Sequence, residues 1–163
     1  RTVCRLDAAI FPPLPEPAYA HDPVRNQYNA ALIIEQVERV PARGCCKLLG
    51  LMNLDLFIPI FTHVFGEARE GGRCALVSIF RLGERILGVK PAQDLILERL
   101  AKVAVHELGH LFTVPHCSDP ACLMHFSMDL VELDAMPVRF CRYCDAFFKS
   151  SVQKLPYMER SVG

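Results

Sequence analysis

The residues best suited to chemistry lie between His106 and Cys144, and the first eleven of them read HELGHLFTVPH. In an α-helix, His106 and His110 stand one turn apart and present both imidazoles on one face. Two such nitrogens can share one metal ion at about 2.0–2.1 Å. Glu107 follows the first histidine directly, which carries its carboxylate to the side of the ion, within reach of a water there. That is the position of a general base. His116 lies six residues past His110, off that helical face, so it can join the site only if the helix stops and the chain turns back. Three neutral nitrogen ligands then leave a fourth position open, as in catalytic rather than structural zinc.

Four of the eight cysteines follow closely. Cys117 and Cys122 are separated by four residues and Cys141 and Cys144 by two. Four thiolates at such spacing can close a tetrahedral shell around a second zinc ion, at about 2.3 Å per sulfur. That ion would fasten the loop after His116 to the start of the last helix, and because Cys117 adjoins His116 it would also steady the third histidine. Two disulfides or free buried thiols are the alternative. Cys4, Cys45, Cys46 and Cys74 lack partner spacing and read as core thiols. His21, His63 and His125 read as non-ligands, although His125 lies near enough to Met124 to reach the cleft.

HELGHLFTVPH resembles the extended zinc motif of the metzincin metallopeptidases. The order HCSDPACLM and then FCRYC narrows the likeness to the archaemetzincins, over about a quarter of the chain. The resemblance implies an α+β fold: a mixed, mostly parallel twisted sheet with an antiparallel edge strand, a backing helix, an active-site helix, and a small C-terminal subdomain clamped by zinc. It also implies two zinc ions per chain and a peptide or protein substrate, held along the edge strand by backbone pairing. Met124, two residues after the second cysteine, takes the place of the methionine that turns beneath the catalytic metal, a floor and not a ligand. The chain departs from the motif at Thr113, where the family has glycine. Either Thr113 carries a left-handed strain of about 1–2 kcal/mol or the turn takes another path; Pro115 stiffens the approach to His116 in both cases. The spacing from Met124 to Cys141 is one residue short of the family's.

At 163 residues and 52% apolar, the chain suits one domain with a sizeable core. We expect residues 1–116 to carry the sheet and active-site helix, and 117–163 the cysteine site. Zero formal charge gives no global field for nucleic acid or an anionic membrane. No secretory leader or transmembrane run is legible, which points to a cytoplasmic protein.

The elements that position these residues follow from periodicity. TVCRLDAAI reads as a first strand, ended by the prolines of FPPLPEP. Asn26 to Val40 reads as a helix, capped by Asp22 or Asn26 and stopped by Pro41. Cys45 to Phe61 reads as a buried strand. Two β-rich runs, Phe61 to Phe65 and Cys74 to Leu82, flank Gly71 and Gly72, and one of them should be the edge. The active-site helix opens at Pro91, with Asp94 in its first turn, Leu95, Leu100, Val103, Ala104, Leu108 and Leu111 towards the core, and Glu98 and Lys102 paired on a solvent face. MDLVELDAM is a short segment of mixed helix or turn character, its Asp129, Glu132 and Asp134 either a solvated face or the floor of a cleft that binds a peptide amino terminus. A last helix runs from Tyr143 towards Tyr157, with Tyr143 in a packing role.

The function these residues support is a zinc metallopeptidase in which Glu107 is the base. Its rivals are a non-hydrolytic zinc protein with only the cysteine site filled, and a zinc-finger-like interaction module, against which neutral charge counts. No specificity pocket is legible, so endopeptidase and aminopeptidase modes both fit.

Overall fold

The structure, a computed structural model, describes residues 4, 6–41, 44–127 and 129–155. Among these, the elements in chain order are β1 (His21–Asp22), β2 (Gln27–Asn29), α1 (Ala30–Val37), β3 (Leu48–Met52), β4 (Leu56–Phe57), β5 (Gly66–Ala68), β6 (Cys74–Ser78), α2 (Gln93–Leu111), α3 (Leu130–Ala135) and α4 (Arg142–Gln153). The α+β class and mixed pairing agree with the expectation, but the strands divide into two three-stranded sheets, β1-β2-β4 and β3-β6-β5.

β6 is the centre of the fold. Its five residues are all buried, paired in parallel with β3 and antiparallel with β5. Side chains alternate across a strand, so Cys74 and Leu76 face the cluster that includes Ile33 and Ile34 of α1, while Val77 packs with Val103 of α2. A strand covered on both faces needs an unbroken apolar run, and CALVS supplies one.

Several expected elements are corrected. The first segment forms no strand over 6–17; its prolines break any ladder, and its residues from 7 to 16 are exposed with no strand beside them. Residues 1–3 and 5 lie outside the described ones. The first helix is shorter than Asn26–Val40, because Gln27–Asn29 is held as a strand: Tyr28 N–H donates to Asp55 O at 2.8 Å, and the Gln27 amide donates to Asp55 and to Thr62 O. Neither Asp22 nor Asn26 caps it. The Asn29 side chain does, accepting from Ala31 and Leu32 N–H. The buried strand expected from Cys45 to Phe61 is cut into β3 and β4 at Asn53–Asp55, where the Asp55 carboxylate takes the Arg81 guanidinium at 2.6 and 2.7 Å. The edge strand, β5, starts just after the first of the two expected β-rich runs; the second is the central strand β6.

The active-site helix α2 starts two residues after Pro91, with Asp94 in its first turn. Lys102 is not on a solvent face. It is 1% exposed, and besides Glu98 at 2.8 Å its Nζ donates to Leu133 O and Asp134 O, at 3.1 and 3.0 Å, at the end of α3. Arg99, equally buried, grips Asp134 at 2.7 Å through both Nε and Nη2. Asp134 is therefore a structural anion and not part of a solvated face, and Asp129 is the N-cap of α3. These two cations lash α3 to α2. Lys102→Met removes the buried ammonium from Glu98, Leu133 O and Asp134 O together, so we expect a loss of about 3 kcal/mol in denaturant unfolding. The last helix begins at Arg142; its expected end near Tyr157 lies outside the described residues. Among those residues, no helix is long and apolar enough to cross a membrane.

Candidate metal centres

α2 ends in a turn that sends the chain back over the helix's own last residues. Val114 N–H donates to Gly109 O and Thr113 N–H to His110 O, both at 3.0 Å, the pair of bonds of a Schellman motif. The residue between must be left-handed, and Thr113 has φ 62°. The chain thus turns sharply here and places the strain on a β-branched residue. The Thr113 hydroxyl donates to Phe112 O at 2.6 Å and lies 3.1 Å from Ser151 Oγ of α4. Gly71 N–H, from the hairpin after β5, donates to His110 O at 2.9 Å.

The turn brings His116 to the other two histidines. His110 Nε2 lies 3.1 Å from His106 Nε2 and 3.2 Å from His116 Nε2. The Nδ1 atoms point away: His106 Nδ1 lies 2.7 Å from Leu123 O and His110 Nδ1 3.0 Å from Val114 O. A carbonyl accepts only from N–H, so both Nδ1 atoms carry the proton and both Nε2 atoms present lone pairs. Lone pairs facing each other at such distances repel unless a cation lies among them. The corners of a tetrahedron about zinc at 2.0–2.1 Å are about 3.3 Å apart, close to the spacing seen. Burial pushes the His106 imidazole down to about 4 and lowers those of His110 and His116, all towards the neutral form a metal needs.

Glu107 is 7% exposed and lies against the edge strand. A Cβ on Gly66 would fall 2.7 Å from Glu107 Cγ and from Oε1, and 2.9 Å from Leu76 O. Only glycine lets β5 come this close. Burial raises the Glu107 carboxyl well above its ordinary value, and the Glu67 carboxylate adds to this. Gly66 is a site residue that sequence reasoning missed; its one signal was a glycine directly after an apolar run.

Cys117, Cys122, Cys141 and Cys144 also converge, their sulfurs all within 4.8 Å of one another. Cys117 and Cys141 are 3.9 Å apart, against about 3.8 Å for adjacent sulfurs of a tetrahedral zinc shell. The Cys144 backbone N–H pulls the Cys141 thiol down to about 7, while burial pushes the Cys122 and Cys144 thiols up. Four crowded thiols, two of them reluctant to ionise, suit a cation that favours thiolate. Both side-chain groups fit zinc.

Met124 is fully buried, and its Sδ would lie 2.5 Å from a Cβ on Gly109. The methionine is thus packed against the helix between His106 and His110. Gly109→Ala should overpack this floor and cost about 2 kcal/mol, read as a lowered denaturation midpoint. His125 Nδ1 bonds Cys117 O at 3.0 Å and does not line the cleft. His21 and His63 bond Asn26 and Thr62. Tyr143 is 64% exposed and lies under the Arg142 guanidinium, not in a packed interior. Cys74 is buried, Cys45 and Cys46 are half-buried, and Cys4 packs beside the cysteine cluster.

The cleft, of about 480 Å³, lies between these groups and β5. Leu133 and Met136, on and just after α3, and Lys102 also line it.

This geometry can be set beside known proteins. Residues 34–150 match the family model described as Peptidase family M54. The chain belongs to peptidase family M54. The archaemetzincin of Methanopyrus kandleri is 37% identical over 138 residues, covering 85% of this chain and 75% of that one. A crystal structure of archaemetzincin from the same organism superposes with a TM-score of 0.76 at 38% identity, over 86% of this chain and 73% of that chain. A structure described as a zinc-dependent peptidase from Methanocorpusculum labreanum gives 0.72 at 30% identity, over 88% and 83%. As an archaemetzincin-type metallopeptidase, the M54 chain has its two candidate metal centres one residue apart, at His116 and Cys117.

Proposed function

We propose that this M54 chain hydrolyses peptide bonds with zinc held by His106, His110 and His116, that Glu107 is the general base, and that Cys117, Cys122, Cys141 and Cys144 hold a second, structural zinc. The observation that carries the reading is the triangle of Nε2 atoms, 3.1 and 3.2 Å along two sides, two of them held as lone-pair donors by the Nδ1 bonds of His106 and His110, with the Glu107 carboxyl group beside it in the cleft. When bound, the catalytic ion supplies Lewis acidity towards the scissile carbonyl and makes a water at the open position easier to deprotonate.

The chain's own groups do the rest. Glu107 accepts the water's proton; its high proton affinity, raised by burial and by Glu67, suits it to carry that proton on to the leaving amine. Leu123 and Val114 carbonyls hold the His106 and His110 rings in the tautomer that turns Nε2 to the ion. β5, which among the described residues pairs within its sheet on its β6 side alone, offers backbone groups to an extended peptide. Residues 117–163 act as a subdomain tied down by the cysteine site.

Metal analysis of the purified chain tests the reading. We expect about two zinc ions per chain, and loss of peptide hydrolysis when chelation removes the more labile one. One tightly held ion and no hydrolysis at any zinc concentration would leave only the non-hydrolytic alternative.

A further inference from the structure

Two phenylalanines that line the cleft meet from different segments of the chain. Phe61, on the chain leading into β5, and Phe126, two residues past Met124, have ring centroids 5.9 Å apart with planes inclined at 31°. Phe126 also stands edge-on to the His116 ring at 5.2 Å. Both phenylalanines line the cleft. Neither belongs to the packed cores, and Phe126 remains 41% exposed. The pair therefore meets at the cleft and is not part of a core.

A peptide in the cleft has fixed dimensions. An extended chain lies about 4.7–4.9 Å from a strand it pairs with and needs about 10 Å between faces. Two rings in contact, within the range of about 4.5–7 Å for aromatic pairs, leave no such gap. A chain laid along β5 and over the histidines cannot continue past Phe61 and Phe126 while they touch.

We propose that Phe61 and Phe126 are specificity-determining residues that close the cleft on the His116 side, so that the substrates are peptides with a chain end within a few residues of the scissile bond. Internal bonds of long chains are disfavoured because the remainder of the chain has no exit. This rests on the hydrolytic reading above, and deepens it by naming a substrate class.

Two internally quenched peptides sharing one core sequence test it: a short one with both ends free, and a long one extended and blocked at both ends. The zinc-loaded full chain should cleave the short peptide with the higher kcat/KM. Phe126→Ala, and independently Phe61→Ala from the other segment, should each raise the long-to-short ratio about tenfold, the scale of one lost aromatic contact, with zinc content unchanged. Should one variant fail to fold, the other carries the same reading. Short peptides with only the amino or only the carboxyl end free identify which end is required. Equal rates on both peptides in the parent, or a ratio unmoved in the variants, would overturn the proposal while leaving hydrolysis in place. Cleavage of neither peptide at full zinc occupancy would overturn the hydrolytic reading, and the proposal with it.

Discussion

Glu107→Gln should bind zinc like the parent and turn over peptide at least about 10²–10⁴-fold more slowly. The carboxylate is not among the atoms that meet around the histidine site, so metal content is set by the three imidazoles and is expected to stay the same. Shape is conserved as well, which matters because the side chain is pressed against Gly66 and any change of bulk would move β5. What is lost is proton affinity, since an amide cannot accept the water's proton at neutral pH. Stability should be unchanged or slightly higher. Burial has pushed the Glu107 carboxyl well above its ordinary value, so at neutral pH folding bears a cost for its charge, and a neutral amide removes that cost. Zinc analysis, unfolding curves and kcat/KM on one preparation separate these terms. Turnover at the parent rate would rule out Glu107 as the base.

Cys144→Ser should be the most damaging change to stability. Cys144 is buried at the start of α4, and the cysteine site ties that helix to the loop carrying Cys117 and Cys122. Binding free energy at a structural zinc site is folding free energy, about 10–16 kcal/mol in all. Loss of one thiolate in four should cost on the order of 5 kcal/mol, and the expected readouts are one zinc ion fewer per chain and a much lower Tm. The histidine site should weaken too. Cys117 N–H donates to Met124 O at 2.8 Å, so the cysteine loop, the buried methionine and His116 move together. A Cys144→Ser chain that keeps both ions and its Tm would show that the cluster is a set of packed thiols.

How far the site could be read from sequence followed from how local its parts are. The i, i+4 histidines and the paired cysteines declare themselves because ligand geometry constrains near neighbours. Thr113 was legible as a conflict, strain or a different turn, and the two Schellman bonds decide for strain. Lys102 was misread and Arg99 passed over for a simple reason: a charged residue on a helix is ordinarily solvated, and their partners, Leu133 and Asp134, lie more than thirty residues away in sequence. Gly66 and the Phe61–Phe126 contact carry no periodic signal, since each exists only through tertiary approach. The helix start was misplaced because Asn29, not an earlier residue, bonds the free N–H groups, and strand pairing at Gln27–Asn29 took precedence over helical periodicity.

The contact between Gly66 and Glu107 has one more consequence. The carboxylate's depth in the cleft is gauged by main chain on one side and by the helix that bears it on the other. Any residue larger than hydrogen at position 66 would therefore shift the base at once.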